Sequence, residues 1–211
     1  MIIVNPGGKL IINQTAKKLV LHLFKDFSTI HTVTSIAKEL GLSRVGTWKI
    51  LKNLQTNKFI TLKTVGTGKT STYLVKLNWD NPLVEKSLAL YLTEEALKQQ
   101  KWRFNFSELE NLTKFLILYG SILDSPKDAR DIDLIAIESS NKNFLKLERA
   151  VHKEQNTQLK KIHMIDFTEK GFKKDLINSN KAYIDAVRTG VILFGQENFI
   201  KLIKSIILQK N

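Results

Sequence analysis

The 211-residue chain carries 33 Lys and Arg against 20 Asp and Glu, a formal net charge of +13, and no cysteine. The missing thiols exclude a disulfide scaffold, a thiolate zinc centre and a cysteine nucleophile. A share of 43% hydrophobic and 25% charged residues belongs to a chain that buries a core, not to a disordered tail. The opening apolar run is too short and wrongly flanked for a signal peptide, and no stretch reaches the roughly 18 apolar residues of a membrane span. A cytoplasmic protein with no membrane partner is expected.

Up to Asn105 the chain has 16 Lys and Arg against 6 Asp and Glu, and beyond it 17 against 14. A basic module beside a nearly neutral one suggests that the first half meets an anionic polymer, most often nucleic acid. Lysines scattered over helix exteriors would give the same count.

In chain order, Asn5-Pro-Gly-Gly8 between the apolar runs at 2–4 and 10–12 suits a type II turn in a small hairpin. Leu19, Leu21, Leu23 and Phe24, with Phe27 beyond, fit one face of a helix starting near Thr15. A second short helix is expected over 33–40, with Ile36, Ala37 and Leu40 at helical spacing and Gly41 where a left-handed cap sits. Ser43 then caps a third helix running to about Gln55. In that helix Thr47, Ile50, Leu51 and Leu54 form the inward stripe and leave Arg44, Lys49, Lys52 and Asn53 outward. Cations there would contact phosphates, and Arg and Asn can also read base edges. Residues 59–65 and 70–77 read as two strands joined by Gly66-Thr-Gly-Lys69, a hairpin made basic by Lys63, Lys69 and Lys76. Trp48 and Trp79 are expected to pack in the core.

The segment from about Thr15 to Leu77 resembles the winged helix-turn-helix family, through Leu42-Ser-Arg44 and Ile50-Leu-Lys-Asn-Leu-Gln-Thr-Asn-Lys-Phe-Ile60. The resemblance implies nucleic-acid contact, DNA before RNA, through Ser43, Arg44, Lys49, Lys52, Asn53, Lys63 and Lys69, with homodimerisation as a common habit. Winged helices also serve as protein-docking modules. Asn81-Pro82 opens a further helix with Val84, Leu88, Tyr91 and Leu92 on one face, linking the halves or forming a dimer contact. Thr93-Glu-Glu leaves open a restart after Leu92.

The second half holds Phe115-Leu-Ile-Leu-Tyr-Gly120-Ser121, nine residues, and then Asp131-Ile-Asp133-Leu-Ile-Ala-Ile137. Two buried strands bracket a polar turn. A small residue at the end of the first lets backbone N–H groups approach a phosphate, and the Ser hydroxyl can donate to one. Asp131 and Asp133 share one face of the second strand, as hard oxygen ligands for a divalent cation require.

This arrangement resembles the DNA polymerase β-type nucleotidyltransferase superfamily, specifically its minimal members, over roughly residues 106–200. The ending Ala186-Val-Arg-Thr-Gly-Val-Ile-Leu-Phe-Gly195 resembles their last strand. The resemblance implies that Gly120 and Ser121 hold nucleotide phosphates and that Asp131 and Asp133 bind Mg²⁺ or Mn²⁺. The reaction would be an in-line attack on the α-phosphate of an NTP with pyrophosphate leaving. A third carboxylate is normal in the superfamily. Here the position that aligns with it is His163, while Asp166 lies three residues on and is of opposite strand parity. Asp166 could serve after a bulge, or His163 could act as base or ligand. The usual Arg after Gly-Ser is also missing, and Lys127 or Arg130 would compensate. His22, His31 and His152 stand isolated in the sequence and read as surface or capping residues. Residues 153–161 read as a solvated Lys-rich helix face, and Tyr183 and Arg188 as packing residues.

The expected architecture is α+β. A winged helix-turn-helix domain spans 1–80, a linker helix 81–103, and an α/β nucleotidyltransferase domain 104–211 whose mixed sheet carries the site on its edge. The function implied is metal-dependent transfer of a nucleoside monophosphate to an unidentified acceptor, with the winged helix holding nucleic acid. Two alternatives stand beside it: a transcriptional regulator on a catalytically inactive nucleotidyltransferase fold, and an antitoxin-like nucleotidyltransferase acting on a partner toxin.

Overall fold

The computed structural model describes residues 13–67, 71–138 and 144–209. The expected hairpin over the first twelve residues and Lys69 lie outside them. The chain divides into two compact units, Met1–Leu88 and Ala89–Asn211.

In the first unit, helix α1 (Gln14–Lys25) starts at Asn13, whose side-chain oxygen accepts from the Ala16 N–H at 2.7 Å. Helix α2 (Val33–Glu39) opens on a reciprocal capping box between Thr32 and Ser35. It ends before Gly41, whose φ of 64° is the left-handed cap conformation. Helix α3 (Arg44–Thr56) is capped by Ser43, which accepts from the Gly46 N–H at 3.0 Å. Strands β1 (Ile60–Val65) and β2 (Thr72–Leu77) pair antiparallel from Ile60↔Leu77 to Val65↔Thr72. A bridge between Thr32 and Leu74 and a hydrogen bond from the Val75 N–H to the His31 carbonyl at 2.9 Å anchor β2 to the α1–α2 connection. Leu19, Phe24, Ile36, Leu51, Leu54 and Phe59 are fully buried. A core of this kind supplies several kcal/mol per large side chain. Helix, turn, helix, then hairpin is a winged-helix arrangement.

Helix α4 (Pro82–Leu97) runs unbroken across the boundary between the units. Thr93 restarts nothing, because its hydroxyl donates to the Ala89 carbonyl one turn back at 2.8 Å. Helix α5 (Gln100–Asn105) follows, and its Arg103 guanidinium donates to the Leu193 carbonyl.

The second unit is built on a mixed sheet. Strands β3 (Thr113–Tyr119), β4 (Asp131–Glu138), β5 (Lys161–Phe167) and β6 (Val191–Phe194) lie in the order β5-β4-β3-β6. Pairing is antiparallel for β3 with β4 and with β6, and parallel for β4 with β5. Helices α6 (Ser121–Asp124), α7 (Phe144–Gln155), α8 (Glu169–Ile177), α9 (Lys181–Thr189) and α10 (Gln196–Gln209) complete it. One sheet face, with Leu116, Leu118, Leu134 and Ala136, packs in a core with Leu147 of α7 and Trp102 of α5. On the other face Phe115 meets Phe172 of α8 and Phe199 of α10. The continuous apolar run in each central strand reflects this two-sided burial.

The Lys-rich run over 153–161 is not a helix face. The helix ends at Gln155, whose side chain holds the following turn by donating to the Lys160 carbonyl at 3.1 Å and accepting from the Ile162 N–H at 2.7 Å.

Candidate functional site

On α3 the buried residues are Thr47, Leu51 and Leu54, with Ile50 half-buried. Arg44, Lys49, Lys52 and Asn53 are exposed, as is Lys63 on β1. Val45 is exposed beside them at 67%. Trp48 is not in the core: its ring lies 5.0 Å from that of Tyr73 on β2, and the Lys52 ammonium sits 4.7 Å over it. Helix α3 is therefore braced against the β1–β2 hairpin by an aromatic pair with a cation over the Trp48 ring. Trp79 packs edge-on against Phe24.

In the second unit β3 and β4 bring the Gly-Ser turn against the two acids, because Tyr119 is the register partner of Asp133. Gly120 has φ 82°, and a Cβ there would collide with the Asp133 carboxylate. The backbone approaches the acid as closely as it does only because residue 120 has no side chain. Ser121 opens the short α6 and is exposed. The spacer that follows is fixed from outside by Lys160, which donates to the Lys127 carbonyl at 3.1 Å and to that of Ala129. Lys127 and Arg130 are exposed.

Asp133 is also the register partner of His163 on β5. His163 Nδ1 lies 3.3 Å from an Asp131 carboxylate oxygen and 3.8 Å from one of Asp133. These three residues can each present a ligand atom within 4.8 Å of the others. Burial, then the neighbouring Asp131 charge, raises the Asp133 carboxyl above its ordinary range, and His163 partly offsets this. Burial, followed by the charge of Asp133, also raises the Tyr119 phenol on the same face. Two carboxylates and one imidazole fit a single divalent cation, and the nitrogen donor suits Mn²⁺ or a later transition metal better than Mg²⁺.

Asp166 does not join this group. It pairs in register with Ala136 on the opposite sheet face and hydrogen-bonds Glu138, whose carboxyl is raised by burial and by that contact. The strand pairs in regular register from Asp131↔Lys161 to Ile137↔Phe167, so no bulge restores the parity. The acids also stand on β4, an interior strand, and only His163 comes from the sheet edge. Tyr183 packs edge-on against Phe167 at 5.0 Å, and Arg188 pairs with Asp185 at 2.5 Å. His152 is exposed, whereas His22 and His31 are not isolated: their rings face each other at 5.1 Å. Lys160 and Tyr119 escape motif reading because register and loop anchoring bring them in.

No protein family and no curated protein matches the chain. Among solved structures, the chain is similar to the zinc-responsive MarR family member ZitR of Lactococcus lactis, at 19% identity over 50% of this chain and 71% of that one, with a TM-score of 0.35. A likeness of that size carries no inference. Among the described residues, no helix is long and apolar enough to cross a membrane.

Proposed function

We propose that the chain is a DNA-binding regulator that reads its site through α3 and the wing. Its second unit is a nucleotidyltransferase-like body that takes up a nucleotide with a divalent cation and does not turn it over. The observation that carries this reading is the outward set Arg44, Lys49, Lys52 and Asn53 on a capped helix, flanked by Lys63 of the wing. Cations on such a helix bind phosphates, and Asn and Arg discriminate bases. Selection from a randomised duplex pool, followed by anisotropy titration at several salt concentrations, tests it. A preferred sequence is expected, with affinity falling steeply in salt. Lys49→Ala combined with Lys52→Ala is expected to weaken binding and reduce the salt slope by about 2, while Asn53→Ala relaxes sequence preference. Equal affinity for all duplexes, untouched by these substitutions, overturns the proposal. A homodimer on a two-fold symmetric site would fit such a reader.

Nucleotidyl transfer is kept as a second reading because Asp131, Asp133 and the Gly120 turn stand together. Those two acids would hold the cation, which supplies charge neutralisation on the phosphates. Gly120 and Ser121 would place the phosphate chain, and His163 occupies the position where a third carboxylate is usual. Incubation with NTP labelled at the α-phosphate distinguishes the readings: label transferred to protein, nucleic acid or toxin supports the enzyme, and binding without transfer supports the regulator. With Mn²⁺ and NTP the melting temperature is expected to rise, and the rise is expected to vanish in Asp133→Asn.

A further inference from the structure

A second cluster of metal-type donors lies in the first unit, drawn from the end of α1, the α1–α2 connection and the end of α2. His22 and Asp26 are one turn apart on and just beyond α1, His31 sits in the connection, and Glu39 ends α2. Each of the four can present one ligand atom within 4.8 Å of the rest. His22 Nε2 is 2.7 Å from a Glu39 carboxylate oxygen, and His31 Nδ1 is 3.9 Å from the same oxygen.

His31 is 5% exposed, and its Nδ1 is buried with no hydrogen-bond partner. Its other nitrogen, Nε2, lies 2.9 Å from the Asp26 carbonyl. A carbonyl only accepts, so Nε2 carries the proton and Nδ1 presents a bare lone pair to the cluster. That is the second contact by which metal-ligating histidines are usually oriented. The Asp26 carboxylate is oriented too, accepting from the Thr29 hydroxyl at 2.9 Å. A buried acceptor with nothing to accept from is destabilising, and a cation between the two imidazoles and the carboxylates would remove that cost.

We infer that His22 Nε2, His31 Nδ1, Glu39 and Asp26 form a site for a borderline-soft divalent cation of the zinc class. Two imidazole nitrogens with carboxylate oxygens select such an ion over Mg²⁺ or Ca²⁺. Metal–ligand bonds of about 2.0–2.2 Å in a tetrahedron put neighbouring donors about 3.3–3.6 Å apart. The two recorded separations, 2.7 and 3.9 Å, lie on either side of that range, so small side-chain shifts complete the site.

The test uses the full, tag-free chain carrying Asp131→Asn and Asp133→Asn, which disable the donor group on the sheet. Calorimetric titration with Zn²⁺ is expected to give one site per chain. Co²⁺ in its place is expected to give visible absorption of tetrahedral intensity. Adding Glu39→Gln or His22→Gln is expected to weaken Zn²⁺ at least about tenfold and to remove the Co²⁺ band. Both side chains are partly exposed, at 35% and 18%, so these variants keep the fold where loss of the buried His31 could collapse it. Absence of Zn²⁺ uptake, or uptake that survives both substitutions within tenfold, overturns the assignment.

Discussion

Glu138 and Asp166 show at single-residue scale what the second unit asks of its carboxyl groups. They meet on the sheet face opposite Asp133, and burial together with the hydrogen bond that the protonated Glu138 carboxyl donates to Asp166 lifts Glu138 above its ordinary value of 4.5. A folded-state pKa above the unfolded one means that the folded chain holds the proton more tightly. That contribution to stability is full below the unfolded value and is lost as pH rises through the folded one. Asp166→Asn is therefore expected to raise the melting temperature at neutral pH, with the gain shrinking on acidification towards about pH 4.5. Thermal scans of both proteins across that range check this, and a gain that is constant with pH would contradict it. Asp133 is raised in the same direction, by burial and by Asp131, so an uncharged Asn in its place is expected to stabilise the metal-free protein at neutral pH. The substitution that relieves the chain of charge is the one expected to abolish its response to Mn²⁺ and NTP.

The same contrast between local tolerance and close approach separates glycines at the level of the element. Gly41 ends α2 at φ 64° with open space where a Cβ would go, so Gly41→Ala pays only the left-handed backbone, about 1–2 kcal/mol. Gly195 has φ 75° and lies where a Cβ would strike the Lys114 carbonyl and the Phe115 backbone. Gly195→Ala is expected to cost more than about 3 kcal/mol, because neither β3 nor β6 can retreat without breaking the sheet. Chemical denaturation of the two variants measures the difference. Much at this scale was legible in the sequence. Ser43, Gly41 and the Thr47–Leu51–Leu54 spacing placed the helix-turn-helix, since caps and periodicity are local signals. Asp131 and Asp133 were placed together by strand parity alone. Parity sets Asp166 on the face opposite Asp133, and the β4–β5 register is regular through Ala136↔Asp166. Less legible was everything that depends on distant segments meeting. His22 and Asp26 are four residues apart, a helical spacing, but only the tertiary fold brings Glu39, seventeen residues on from His22, to them. Lys160 reaches the spacer across more than thirty residues, and no local pattern announces that.

For the whole molecule, the separate cores set the expectation for unfolding. Phe59 is fully buried in the first unit and Phe115 is buried in the second. Each Phe→Ala substitution is expected to cost about 3–5 kcal/mol and to lower the melting of its own unit. Calorimetric scans are expected to show two transitions, with Phe59→Ala moving one and Phe115→Ala the other. A single transition shifted equally by both would mean that the units unfold together. Most of the chain's basic excess falls in the first unit, the one that the proposed function assigns to DNA. The seam between the units falls within α4, after Leu88, with Val84 counted on one side and Leu92 and Ala96 on the other. A cut at that seam would strand helical carbonyls and N–H groups on both new ends. Recombination that traded either unit for another would have to carry the whole of Pro82–Leu97 with it, so the two units are expected to be inherited as a pair.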